Sequence, residues 1–211
     1  MTGKSHKQYA ICGAYVVAML FYVFNITGIN YYLGLMIALL VAKVGGKFPD
    51  LDHAWCNIGE KTIPHKVINT LIHITGGKHR SWQTHSIDIC IWVTVAARWI
   101  PELLYSYGFI EIADRSLMLV MTLSFAAGYI SHLFSDMLTS EGVYLLCFMK
   151  LKVKLVPKKI FNFRFSTDSD WEKFNYKLMR FVNIILGFGS ITFPMIYRYK
   201  EIVVGYITKM L

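Results

Sequence analysis

The chain has 211 residues, 55% of them hydrophobic and only 17% charged, with a mean hydropathy of +0.44. That balance is too apolar for an ordinary soluble domain and points to membrane spans, and the length suits a single domain over residues 1–211. A net charge of +9 fits anionic headgroups and a positive-inside topology, so membrane lipids are the expected partners and nucleic acid is not.

The first apolar run, Tyr9–Phe24, follows Lys4 and Lys7 and lacks a small-x-small cleavage site, so it reads as an uncleaved helix. A tight connection, Asn25–Asn30, leads into Tyr31–Val44 and makes the two helices antiparallel neighbours. Residues 45–86 read as a long loop region punctuated by Gly45-Gly46, Pro49, Pro64 and Gly76-Gly77. Ile87–Ile100 and Leu117–Leu138 are the next two hydrophobic helices, the second long enough to span outright. Lys150–Val156 and Phe161–Phe165 alternate with period 2 around Pro157-Lys158-Lys159, which predicts a small basic β-hairpin. Ser169-Asp170-Trp171-Glu172 is a capping box ahead of a fifth apolar stretch, Phe181–Tyr197. The expected fold class is all-α: a multi-pass membrane bundle of about four to five hydrophobic helices, with the hairpin after the fourth. Cys12, Cys56, Cys90 and Cys147 are far apart and form no C-x-x-C, so neither a disulfide framework nor a thiolate metal site is expected.

Orientation follows from the basic residues. If each of the first four helices crosses or re-enters once, the N-terminus, the 45–86 loop and the region after Leu138 share one side. That side holds Lys4, Lys7, the basic residues from Lys47 to Arg80 and those from Lys150 to Arg180; the opposite loops between helices hold Arg115. The positive-inside rule makes the shared side cytoplasmic, in a plasma or inner membrane.

The histidines and aspartates fall into short clusters on that same side: His6; Asp50, Asp52 and His53; His79 and His85 around Arg80; His132 and Asp136. Imidazole and carboxylate form the ligand set of zinc and similar divalent cations. Ionisable groups beside apolar helices are costly and usually functional. His132 and Asp136 are spaced i, i+4, one turn apart on one helix face. Asp50 and Asp52 point the same way if their segment is extended, one to bind metal and the other to orient an imidazole or take a proton. Thr84 or Ser86 is placed to cap the third helix, whose N-terminus with Arg80 makes an anion site. Taken singly, His6 reads as a solvated terminal residue, P-D as turn sequence, and His79 or His85 as an exposed loop residue. His65 and His73 match nothing and read as structural or surface residues.

Together these residues resemble the YdjM-like family of inner-membrane-associated proteins, grouped with metal-dependent hydrolases. Met1-Thr2-Gly3-Lys4-Ser5-His6 is similar to its start. Phe48-Pro49-Asp50-Leu51-Asp52-His53 is similar to its P-D-hydrophobic-D-H motif. His79-Arg80 with Thr84-His85-Ser86 resembles its H-R-x-x-T-H-S motif, and Gly128–Thr139 its G-Y-x-S-H-x-x-x-D-x-L-T motif. The two histidines of the third motif are six residues apart here against five in the family, which weakens His79 more than His85. The proline-rich end of the fourth motif is replaced by Leu146-Cys147-Phe148. Ser169–Glu172 resembles a loosely kept S-x-x-E region, in which Glu172 is either a further ligand or simply part of the capping box. The family is similar to zinc-dependent phospholipase C and single-strand nucleases, and that implies phosphoester hydrolysis by analogy of fold.

The expected activity is therefore a membrane-bound hydrolase of a phospholipid or lipid-linked phosphate, with Zn²⁺ as cofactor. His6, Asp50, Asp52, His53, His79, His85, His132 and Asp136 are its candidate ligands. Asp52 or Asp50 would serve as base or bridging ligand and Arg80 would hold a phosphoryl oxygen. The alternative is a non-catalytic membrane protein with a structural metal or a partner-binding basic face. A transporter fits less well, because its ligands should line a path near midplane rather than gather at one end.

Overall fold

The structure, a computed structural model, describes residues 3–24, 30–52, 63–78, 80–108, 115–139, 141–144, 146–147, 151–155 and 169–210. Its helices are α1 (Gly3–Val23), α2 (Tyr31–Gly45), α3 (Ile63–Ile74), α4 (Ile87–Ser106), α5 (Arg115–Met137) and α6 (Asp170–Met210). A 3-10 turn, Phe48–Asp52, follows α2.

The centre of the bundle is α1, α2 and α5 packed on one another. Small residues let them approach. Ala10, Ala14, Ala38 and Ala42 are fully buried, and a Cβ on Gly128 of α5 would run into the carbonyl of Ala42 on α2. Backbone contact of this kind is how helices associate where no water drives them together. α4 packs on α5 through Cys90, Tyr129 and Leu133, with Val143 beneath them. Asn30 starts α2 by accepting the Tyr32 N–H at 2.9 Å, as a cap residue should.

α6 runs parallel to α1. Tyr9 Oη pairs with Asn175, Asn183 Nδ2 donates to Gln8 O at 2.8 Å, and Tyr31 Oη donates to Ser190 O at 2.9 Å. The predicted cap is present, with Glu172 N–H donating to Ser169 Oγ at 3.2 Å. The helix it starts is continuous through the fifth apolar stretch to Met210, 41 residues in all, which makes it about 60 Å long.

Two expectations change. The 45–86 region is not loop throughout: it contains the 3-10 turn and α3, tied together by Asn69 Nδ2 donating to Leu51 O at 3.0 Å. Gly76, at φ 77°, supplies the left-handed residue that ends α3. The first arm of the predicted hairpin pairs backwards. Lys152–Val153 (β2) lies antiparallel to Val143–Tyr144 (β1), with Val143 opposite Val153, and residues 161–165 lie outside the described ones. Among the described residues, three stretches are long and apolar enough to cross a membrane, Tyr31–Asp52, Arg115–Met137 and Asp170–Tyr206. α1 opens with Lys4, His6, Lys7 and Gln8, and α4 carries Asp88, Arg98 and Glu102; polar residues of this kind lower the tendency of a helix to enter hydrocarbon.

Candidate metal centre

Four segments distant in sequence meet at one end of the bundle: the first turn of α1, the 3-10 turn, residues 80–85 before α4, and the last turns of α5. His6, His85, His132, Asp52 and Asp136 are buried there, and Asp50 is 22% exposed at the rim. His6 is therefore no solvated terminal residue. Its ring stacks on His132 at 3.7 Å with the planes 14° apart.

The protons of the three imidazoles can be assigned by elimination. His132 Nδ1 lies 2.7 Å from the Gly46 carbonyl, which only accepts, so Nδ1 carries the hydrogen. His6 Nδ1 lies 2.5 Å from Ser135 Oγ, whose own hydrogen goes to the His132 carbonyl. His85 Nδ1 lies 2.8 Å from Thr84 Oγ1 and 3.3 Å from Asp52 Oδ2, and the Thr84 hydroxyl donates to that same Asp52 oxygen. In its neutral form each ring thus donates through Nδ1 to the scaffold and keeps Nε2 as the acceptor nitrogen.

All three Nε2 atoms aim at one carboxylate. His6 Nε2 is 3.5 Å from Asp136 Oδ1, and His85 and His132 Nε2 are each 3.4 Å from Asp136 Oδ2. Asp50 Oδ1 faces His132 Nε2 at 3.7 Å, and that nitrogen makes no hydrogen bond among the described residues. Lone pairs facing a buried carboxylate repel unless a proton or a metal cation lies between them. Ligands at about 2.0–2.1 Å from a tetrahedral ion lie about 3.4 Å apart, close to the 3.4–3.5 Å between these Nε2 atoms and the Asp136 oxygens. Two overlapping sets offer ligand atoms within 4.8 Å of one another: His6, His132 and Asp136, and Asp50, His85 and His132. These buried His/Asp groups can hold a metal ion.

Charge supports the fit. Three carboxylates, Asp50, Asp52 and Asp136, gather at the imidazoles, and Asp136 pairs with the Arg80 guanidinium. The His85 side chain records the resulting field: burial works against its charge, yet the Asp136 and Asp52 carboxylates push its pKa up to about 9.

The sequence pattern and the geometry coincide in the comparison with known families. A model of the YdjM inner membrane protein family matches residues 1–192. The chain belongs to that family. No match to the curated proteins or to the solved structures was found. The residues through which the chain resembles YdjM proteins, His6, Asp50, Asp52, Arg80, His85, His132 and Asp136, converge in the fold; His53 and His79 lie outside the described residues.

Local geometry corrects some expected roles. Asp50 and Asp52 do not share a side, because their segment is a 3-10 turn and not extended. Asp52 turns inward to Thr84, His85 and the Arg80 N–H, while Asp50 turns to His132 at the rim. Thr84 does not cap α4. Ser86 holds the cap position without a capping bond, its hydroxyl donating to Trp82 O. Asp88 sits in the first turn of α4 and accepts the Cys147 N–H. The Arg80 guanidinium faces Asp136, Thr139 and Glu141. Ser135, Thr84 and the Gly46 carbonyl were not legible as imidazole holders. A hydroxyl beside a candidate ligand, as in Thr84-His85 and Ser135-Asp136, was the available signal.

Proposed function

We propose that this YdjM-family protein is a membrane-bound, metal-dependent hydrolase of phosphoesters, with a lipid-linked phosphate as its substrate class. The observation that carries the reading is the convergence of three Nε2 atoms on Asp136. The donor set suits Zn²⁺ best, held by His6, His132 and Asp136 with His85 beside them. Bound there, a divalent ion supplies positive charge for a developing phosphoryl anion and acidifies water.

The chain's own groups divide the remaining work. Asp52 is buried and committed through Oδ2 to Thr84, His85 and the Arg80 backbone, which suits a carboxylate that orients an imidazole. Asp50 is the more open carboxylate beside the same imidazoles, and in our reading it takes the proton from the attacking water. Arg80 steadies Asp136 with Nη2 and holds a phosphoryl oxygen with its outer arm. Basic residues near this end of the bundle, including Lys4, Lys7, Lys47, Lys152 and Lys154, concentrate anionic headgroups around the centre.

One observation favours a second reading, a structural metal. Each of the two overlapping sets, His6, His132 and Asp136 or Asp50, His85 and His132, supplies three protein ligands, most of a closed tetrahedral shell. The two readings separate on zinc-loaded protein assayed with generic phosphoesters and with membrane phospholipids. Turnover that Asp50→Asn abolishes at unchanged metal content supports the hydrolase. Absence of turnover at full metal content favours the structural ion. In the same assay, Asp52→Asn should lower metal affinity about ten- to hundred-fold; full affinity with lost turnover would return the base role to Asp52.

A further inference from the structure

Arg80 makes contacts that the centre itself does not need. Nη2 lies 3.2 Å from buried Asp136 Oδ1, but Nη1 reaches out to Glu141 Oε2 at 3.4 Å and donates to Thr139 Oγ1 at 3.4 Å. The Arg80 side chain is 9% exposed and that of Glu141 58%, so one guanidinium runs from the interior to the surface.

Both ends are held in place by the backbone. Arg80 sits at φ 60°, a left-handed conformation that non-glycine residues seldom adopt, and its N–H is held by Asp52 Oδ2 at 2.9 Å. Gly142, at φ 70°, leads from Glu141 into β1, and a Cβ there would collide with the Val153 carbonyl on β2. Tyr144 N–H donates to His85 O at 3.0 Å, which fixes β1 against the centre. Thr139 spends its hydroxyl hydrogen on Asp136 O at 2.7 Å and so can only accept from Arg80.

We propose that Glu141 is a specificity-determining residue. Its carboxylate occupies the outer arm of Arg80, and an anionic phosphoryl group, from a lipid headgroup or from free phosphate, binds by displacing it. The inference rests on the phosphoester reading above. The two carboxylates on Arg80 are not equivalent. Asp136 is buried and fixed, whereas the Glu141 carboxylate is 58% exposed and its attraction to Arg80 is screened by water, so Glu141 exchanges easily with water. A phosphoryl group offers the same acceptor geometry with greater charge and matches the guanidinium fork. A neutral ester has no such advantage and must compete with a tethered carboxylate at high effective concentration. Glu141 therefore selects for the anionic group.

The test uses the full-length, zinc-loaded protein in detergent, titrated calorimetrically with inorganic phosphate and separately with dioctanoyl phosphatidic acid in mixed micelles. Glu141→Gln should tighten binding roughly three- to ten-fold. Glu141→Asp should stay near wild type, with metal content unchanged in both. Adding Arg80→Lys should abolish the gain. A gain on both ligands assigns the site to the shared phosphoryl chemistry, and a gain confined to the lipid assigns it to the headgroup. Equal affinities for wild type and Glu141→Gln overturn the proposal, as does a gain that survives Arg80→Lys. Absence of anion binding at full metal content also overturns it while leaving the metal centre intact; metal content read on the same samples separates that outcome from failure of the centre.

Discussion

Ser135 shows how a residue outside the ligand set decides what the ligands can do. Its hydroxyl donates to the His132 carbonyl and accepts from His6 Nδ1, so it fixes both the ring angle and the tautomer of His6. Ser135→Ala leaves a buried ring N–H without its acceptor. Metal affinity should fall about ten- to hundred-fold while the helix content is kept, measured by competition with a chromophoric chelator; unchanged affinity would mean that His6 is not a ligand. At this scale the sequence was informative where spacing sets geometry. His132 and Asp136 are one helical turn apart, and that turn places both at the centre. It was uninformative where a local turn decides direction. The i, i+2 relation of Asp50 and Asp52 means one side in a strand and different sides in a 3-10 turn, and nothing in Pro49-Asp50-Leu51-Asp52 distinguishes the two.

Gly128 and Gly45 bring α2 and α5 into backbone contact, and the position of His132 depends on that contact. His132 lies one turn beyond Gly128 and reaches the Gly46 carbonyl only because no side chain separates the helices. Gly128→Ala should destabilise the fold by roughly 1–3 kcal/mol through overpacking and lower metal retention with it. A thermal melt in detergent with and without zinc checks both; a wild-type melt with full metal content would show that the seam is slack. The five apolar runs predicted helices because each is a sustained hydrophobic segment, and all five are helical apart from the terminal Phe24 and Leu138, which are turn residues. α3 escaped notice because its sequence lies between Gly and Pro breakers and its existence depends on packing against the 3-10 turn. The pairing of β2 with β1 was equally hidden, since alternation identifies a strand but not its neighbour.

The whole molecule places the centre at the end of the bundle where α1 and α6 begin, and α6 carries Arg198, Lys200 and Lys209 towards the other end. If Asp170–Tyr206 spans the bilayer, the two ends of α6 face opposite compartments, and we propose from the positive-inside rule that the centre faces the cytoplasm. In a cysteine-free background, Lys154→Cys should resist a membrane-impermeant thiol reagent added to intact cells, and Lys209→Cys should react. The reverse pattern would put the centre outside. The central claim, that three imidazoles converge on Asp136 to hold a divalent cation, is tested most directly by elemental analysis of the purified full-length protein. Wild type should carry about one to three divalent ions per chain, at roughly four ligands per ion, and the His132→Ala, Asp136→Ala double variant should carry none at this site. Equal metal content in the two proteins would contradict the account.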